Sequence, residues 1–223
     1  MRNGAKWLFP AGLTILLTAC VAPSPRTAPY NLTTAKAAVV EYYDSGGYER
    51  DVAEVAAEAT AWLEERAAKA APGERLAVVF DIDETVLSNY SHMLSQDFGY
   101  VYEVWNRWVD RAEATAITPM RGVMQRAREL GYTVFFITGR VEPREHAGTA
   151  ANLLAEGMGD YERLIMKPAG NEQTAAVRKA EQRAALEAEG YTIVASIGDQ
   201  WSDLVGGYTE KRFKVPNPFY EVP

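Results

Sequence analysis

Val78-Val79-Phe80-Asp81-Ile82-Asp83-Glu84-Thr85 decides how this chain is read. It continues an apolar run, LAVVF from Leu76 to Phe80, that shows no alternation and stops abruptly at an acid. A short unalternated apolar run of this kind fits a strand buried on both faces. Asp81 and Asp83 stand two apart where the extended chain leaves that strand, so both can point toward the same opening. Two carboxylates held that close repel each other, and their joint ionisation costs free energy unless a cation compensates.

Three further apolar runs end in the same way. TVFFI ends at Thr138-Gly139-Arg140, RLIM ends at Lys167, and TIVASI ends at Gly198-Asp199. Helical patterns lie between them, near 121–130, 144–156 and 171–189, and a fifth short strand is expected over 212–215. Strands alternating with helices predict an α/β fold with a doubly wound parallel sheet, whose ligands sit beyond the carboxyl ends of the strands. The four polar clusters should therefore meet at one edge. Asp81, Asp83, Asp199 and Asp203 together read as an oxygen-ligand site for a divalent cation, and Mg²⁺ is the hard cation commonly held by few carboxylates while bridging phosphate. Lys167 is expected to supply a fixed positive charge for that phosphate.

Residues 86–118 are long for a strand-to-helix connection and should form a small cap, with a short amphipathic helix marked by Val101, Trp105 and Trp108. The aromatic residues Tyr90, Phe98, Tyr100, Tyr102, Trp105 and Trp108 either pack in the cap or stack on a flat ligand. Upstream, residues 33–69 are alanine-rich with helical periodicity and a Gly46-Gly47 break, which predicts two helices joined at a turn. The first residues differ. Arg2 and Lys6 precede an apolar stretch that ends in Leu17-Thr18-Ala19-Cys20, so residues 1–19 read as an export signal and 20–32 as a proline-rich tether ahead of a domain spanning 33–223. Cys20 is the sole cysteine, which excludes an internal disulfide, and a thiol at a processing site has a use that an unpaired extracytoplasmic thiol in the core would not. Without residues 1–19 the chain carries 21 basic against 30 acidic side chains, a formal charge of −9, which argues against coating a nucleic-acid polymer.

In combination these motifs are similar to those of a known family. Asp-x-Asp-x-Thr at Asp81 to Thr85, Thr138 after its strand, Lys167, and Gly-Asp-x-x-x-Asp at Gly198 to Asp203 resemble the four motifs of the haloacid dehalogenase (HAD) superfamily. FDIDETVLSN, Trp105-x-x-Trp108-Val109, FFITGR, LIMKP and IGDQWSDL resemble in particular its plant acid phosphatase and vegetative storage protein group, with the bacterial class B and class C lipoprotein acid phosphatases as relatives. The resemblance runs from about Tyr42 onward and implies a HAD-like fold with a small helical cap after the first strand. It implies that Asp81 attacks phosphorus, that Asp83 serves as general acid and then base, and that Thr138, Gly139 and Lys167 bind the phosphoryl group. It implies also that Asp81, Asp199 and the carbonyl of Asp83 hold Mg²⁺, with Asp203 acting through water or by orienting the lysine.

The function expected is an acid phosphatase for small phosphate esters, nucleotides leading, exported and lipid-anchored to a bacterial membrane through Cys20. A phosphotransferase, or a weakly active storage-type protein on the same scaffold, is the alternative. Val21 after Cys20 points to the outer membrane over the inner. Arg140 reads as a structural partner for acidic residues. His92 and His146 cluster neither with each other nor with cysteine, and there is no G-x-S-x-G elbow or P-loop, which disfavours zinc, histidine-phosphatase and serine-hydrolase chemistry.

Overall fold

The computed structural model describes Met1 and residues 31–222. The export signal expected over 1–19, Cys20 and nearly all of the tether expected over 20–32 lie outside the described residues.

Two helices open the domain, α1 (Leu32–Asp44) and α2 (Gly47–Ala67). The break between them falls at Gly46, whose φ of 72° suits a residue without Cβ. The chain then runs β1 (Arg75–Phe80), β2 (Leu87–Ser88), α3 (Tyr90–Ser95), α4 (Tyr102–Arg111), β3 (Thr115–Ala116), α5 (Thr118–Glu129) and β4 (Thr133–Glu142). It ends with α6 (His146–Ala155), β5 (Arg163–Pro168), α7 (Ala175–Ala188), β6 (Tyr191–Gly198), α8 (Trp201–Leu204) and β7 (Lys211–Lys214). Five strands form one parallel sheet in the order β5-β4-β1-β6-β7, while β2 and β3 pair antiparallel.

The apolar strands lack alternation because both faces of the sheet are covered. Val78, Phe80, Val134, Phe136 and Ile197 belong to a large core with α2 and α5, whereas Ala77, Val79, Phe135, Ile137 and Ile193 pack with Leu186 of α7 on the opposite side. Helix α2 supplies Val52, Ala56, Ala59 and Leu63 at helical spacing. Two polar ties fix it. Trp62 donates its indole N–H to the Val194 carbonyl at 2.9 Å, and the Tyr132 hydroxyl donates to the Leu63 carbonyl at 2.7 Å.

Residues between β1 and α5 form the β2–β3 hairpin and helices α3 and α4. Buried Asn152 of α6 fastens this segment by accepting from the Ala114 N–H and donating to the Ala114 carbonyl, at 3.0 and 2.7 Å. Gly148 lets α6 approach α4, because a Cβ there would collide with the Val109 carbonyl. Trp108 is buried, stacks on His92 and donates to Asn89 Oδ1 at 2.8 Å, so it is a packing residue.

Helix α7 is unusual in what it buries. Its buried residues are Arg178, Lys179, Arg183 and Leu186, the last three at i, i+4, i+7, yet three of the four are cations. Arg183 is fully buried and donates to the carbonyls of Asp203, Val205 and Gly207, closing the turn that follows α8. Buried carbonyls that lose a charged donor cost on the order of 1–3 kcal/mol each. Arg183→Met should therefore lower unfolding free energy by at least about 2 kcal/mol, measured by urea denaturation. A loss under about 0.5 kcal/mol would mean that water replaces those bonds without penalty.

Candidate active site

The carboxyl ends of β1, β4 and β6 converge. Asp81 follows β1 directly, its N–H donates to the Ile197 carbonyl at 2.9 Å, and its side chain is buried. Its Oδ1 accepts from the Lys179 ammonium at 2.6 Å, and the same ammonium donates to Asp203 Oδ1, also at 2.6 Å. One carboxylate oxygen from each of Asp81, Asp199 and Asp203 lies within 4.8 Å of the others, a donor set that fits a hard divalent cation. The other oxygen of Asp203 accepts from the Gln200 N–H at 2.8 Å, so both its oxygens are engaged and Asp203 is placed to position Lys179. Gly198 permits this arrangement, since a Cβ there would collide with the Asp203 side chain.

Asp83 is held differently. Arg140, buried at the end of β4, makes a forked pair with its carboxylate at 2.7 and 3.1 Å, and Asn89 Nδ2 donates to it at 2.9 Å. Arg140 also donates to the Thr149 hydroxyl at 3.0 Å, and its guanidinium faces the Trp105 ring. Glu84, in the left-handed region at φ 55°, turns inward and accepts from the Asn89 N–H at 2.7 Å and the Tyr220 hydroxyl at 2.8 Å.

Asp199 is oriented by neutral amides. Gln200 Nε2 and Asn217 Nδ2 both donate to its Oδ2, at 2.6 and 2.7 Å, and the Thr85 hydroxyl reaches Oδ1 at 3.2 Å. Asn217 accepts in turn from the Phe219 N–H at 2.8 Å, which fixes which end of its amide faces Asp199. Residues 216–222 thus lie across the site as a strap.

A polar cavity of about 140 Å³ contains Asp81, Asp83, Gly139, Lys179, Asp199 and Asp203. It adjoins an aromatic vestibule of about 460 Å³ whose walls include Phe98, Tyr100, Tyr102 and Trp105. Of the residues expected from sequence, Asp81, Asp83, Gly139, Asp199 and Asp203 are brought together here. Thr138 is buried behind Gly139, its hydroxyl accepting from the Arg140 N–H at 3.1 Å and its carbonyl from Arg178 at 2.9 Å.

Lys167, expected at the site, is not brought to it: it lies on β5, an edge strand, paired with Val141, and is not among the residues lining the polar cavity. Lys179 occupies the position expected for it. The signal for Lys179 was a cation on the inward stripe of a helix that packs on a sheet, where an apolar residue belongs. Arg140, Asn89, Gln200, Asn217 and Tyr220 are further members of the site that sequence reasoning left unassigned or gave a structural role only.

Burial raises the proton affinity of several acids here. It pushes the Asp81 carboxyl well above the usual carboxylate range, against the pull of Lys179. Asp199 is raised to about 6 by burial and then by the neighbouring Asp203 charge, and Glu84 to about 7 by burial and then by Asp83. Burial would lower Lys179, but Asp81 and Asp203 outweigh it and hold the ammonium above its ordinary value. The folded chain therefore keeps protons that the unfolded chain releases, so these groups withdraw stability as pH rises through the interval between unfolded and folded values. Without divalent cation, unfolding free energy should fall between about pH 4 and about pH 7. Glu84→Gln should make that decline shallower, as read from urea midpoints in a chelating buffer, and an unchanged slope would remove Glu84 from the account.

The comparisons with known proteins agree with this geometry. A family model described as HAD superfamily, subfamily IIIB (acid phosphatase), matches residues 22–223. The chain is 35% identical over 191 residues to "Acid phosphatase 1" of Solanum lycopersicum, covering 82% of this chain and 73% of that protein. It is 35% identical over 150 residues to "Vegetative storage protein 1" of Arabidopsis thaliana, covering 65% of this chain and 55% of that one. Among solved structures, the class C acid phosphatase from Bacillus anthracis superposes with a TM-score of 0.70 at 22% identity, over 85% of each chain, a likeness of fold. A HAD-type parallel sheet, an acidic cluster at its carboxyl edge and these matches together place the chain in HAD subfamily IIIB, the acid phosphatases.

Proposed function

We propose that the chain is a magnesium-dependent acid phosphatase that hydrolyses small organic phosphomonoesters, nucleotides among them, through an aspartyl-phosphate. The observation that carries this reading is the Lys179 ammonium held 2.6 Å from both Asp81 and Asp203 inside a polar cavity at the strand ends. In this reading Asp81 attacks phosphorus with the oxygen that Lys179 leaves free. The alcohol departs with a proton from Asp83, which lines both the polar cavity and the vestibule and so stands where the ester oxygen would lie. Water then gives a proton to Asp83 and displaces phosphate from Asp81, restoring the nucleophile.

Arg140 and Asn89 orient Asp83, Thr138 and Gly139 shape the phosphate-binding turn, and Asp203 positions Lys179. Mg²⁺, held by Asp81, Asp199 and the Asp83 carbonyl, would neutralise charge on nucleophile and phosphoryl group. Lys179 supplies the charge first assigned to Lys167. Asp81→Asn should lower kcat on p-nitrophenyl phosphate by about 10³-fold or more, and Lys179→Met by about 10²-fold. Lys167→Met should stay within about threefold of wild type. If Lys167→Met were the crippled variant and Lys179→Met the active one, this assignment would be reversed.

A weakly active storage role is supported by the names of two Arabidopsis relatives, vegetative storage proteins 1 and 2. Against it stand Asp81, Lys179 and Asp199, all present and engaged. The proposal also includes export and lipid attachment at Cys20, which rest on the sequence alone; among the described residues no helix is long and apolar enough to cross a membrane. Expressed in a bacterium that processes lipoproteins, the wild-type chain should enter the detergent phase on phase separation and Cys20→Ala the aqueous phase. Equal partitioning would exclude the anchor.

A further inference from the structure

The polar cavity and the vestibule share four lining residues, Asp83, Gly139, Tyr220 and Val222. An ester with its phosphate at Asp81 and its leaving group in the vestibule lies against these four residues. Asp83 and Gly139 are committed to the chemistry. Tyr220 and Val222 carry no such duty, yet the strap that presents them is fixed along its length. Asn217 bonds Asp199, and Phe219 lies among the rings of Tyr43, Tyr90 and Phe98 at centroid distances of 5.4, 5.8 and 5.9 Å. The Tyr220 hydroxyl bonds Glu84 at 2.8 Å, and the Val222 N–H bonds Gln200 Oε1 at 2.9 Å. A wall held by these bonds resists displacement by a bulky group, which is the condition for selection by shape.

Resting on the phosphatase reading above, we infer that Tyr220 and Val222 are specificity-determining residues, forming a fixed jaw that selects esters by how crowded the leaving group is next to its ester oxygen. Unbranched primary alcohols pass this throat, and groups branched at the ester carbon meet the jaw. Val222 is the residue to vary, because its strap contact runs through the backbone N–H and its side chain is exposed, so substitution leaves the fastening in place.

Glycerol 1-phosphate and glycerol 2-phosphate are suitable probes, having the same atoms and charge and differing only in branching at the ester carbon. Wild type should favour the 1-phosphate in kcat/KM. Val222→Ala should move that preference at least about fivefold toward the 2-phosphate, and Val222→Phe at least about fivefold away from it. Inhibition by inorganic phosphate, which needs only the polar cavity, should move less than either ester does, and thermal unfolding checks that both variants are folded. Preferences that stay within about twofold of wild type in both folded variants would overturn the inference, as would phosphate inhibition that shifts as far as the esters do. A wild-type protein inert toward both glycerol phosphates and p-nitrophenyl phosphate would instead overturn the phosphatase reading.

Discussion

The Lys179 ammonium, buried between Asp81 and Asp203, is the interaction on which the arrangement of this site depends. An ammonium taken from water costs several kcal/mol, and only well-placed opposite charge recovers it. The two carboxylates need the lysine in turn, since both are buried, Asp81 at the end of β1 and Asp203 in α8. Removing one partner of such a set leaves an uncompensated buried charge, at a cost of about 3–5 kcal/mol. Helix α7 is thus bound to the sheet by charge as well as through Leu186, where helices α2 and α5 are bound to the opposite face by apolar packing. The consequence is positional: the lysine that touches Asp81 comes from a helix and not from a strand end.

Around that charged centre, neutral amides do the orienting. Gln200 and Asn217 fix Asp199, and Asn89 fixes both Asp83 and Glu84. Each of these amides is held at its other end, Gln200 by Val222, Asn217 by Phe219 and Asn89 by Trp108. An amide that accepts from one partner has only its donor end left for the carboxylate, so the chain of contacts determines the direction of every bond. Such fixed dipoles need not reorganise when charge moves in a reaction. The strap, the hairpin segment and the sheet edge are therefore one polar unit, although they come from distant parts of the sequence.

The sheet was legible because each strand is a short unbroken apolar run, and the doubly covered faces explain that lack of alternation. Asp81, Asp83 and Asp199 were legible because each stands within three residues of a strand end, so position along the chain translated directly into position in space. Lys179 was not, because it sits one turn inside α7, and Lys167 satisfied the strand-end rule while lying on the outermost strand. The rule identifies candidates at the edge but is blind to strand order. Asn217, Tyr220 and Val222 were illegible for a different reason. They lie beyond β7 in a segment with no period, where nothing local shows that it folds back over β6. The two cap tryptophans divide the outcome left open by composition, Trp108 packing in the core and Trp105 facing the vestibule.

The balance of charge at the site also accounts for the kind of chemistry it can host. Of the five carboxylates Asp81, Asp83, Glu84, Asp199 and Asp203, three are bonded by a cation, Asp81 and Asp203 by Lys179 and Asp83 by Arg140. A phosphate ester entering a site so rich in carboxylates is repelled unless negative charge is removed or offset. Lower pH removes it, since Glu84 and Asp199 hold protons up to about 7 and about 6. A divalent cation at the Asp81, Asp199 and Asp203 oxygens would offset it in the same place. Protonation and a bound cation are then two ways of relieving one electrostatic excess, which follows from placing these acids at the carboxyl edge of a buried parallel sheet.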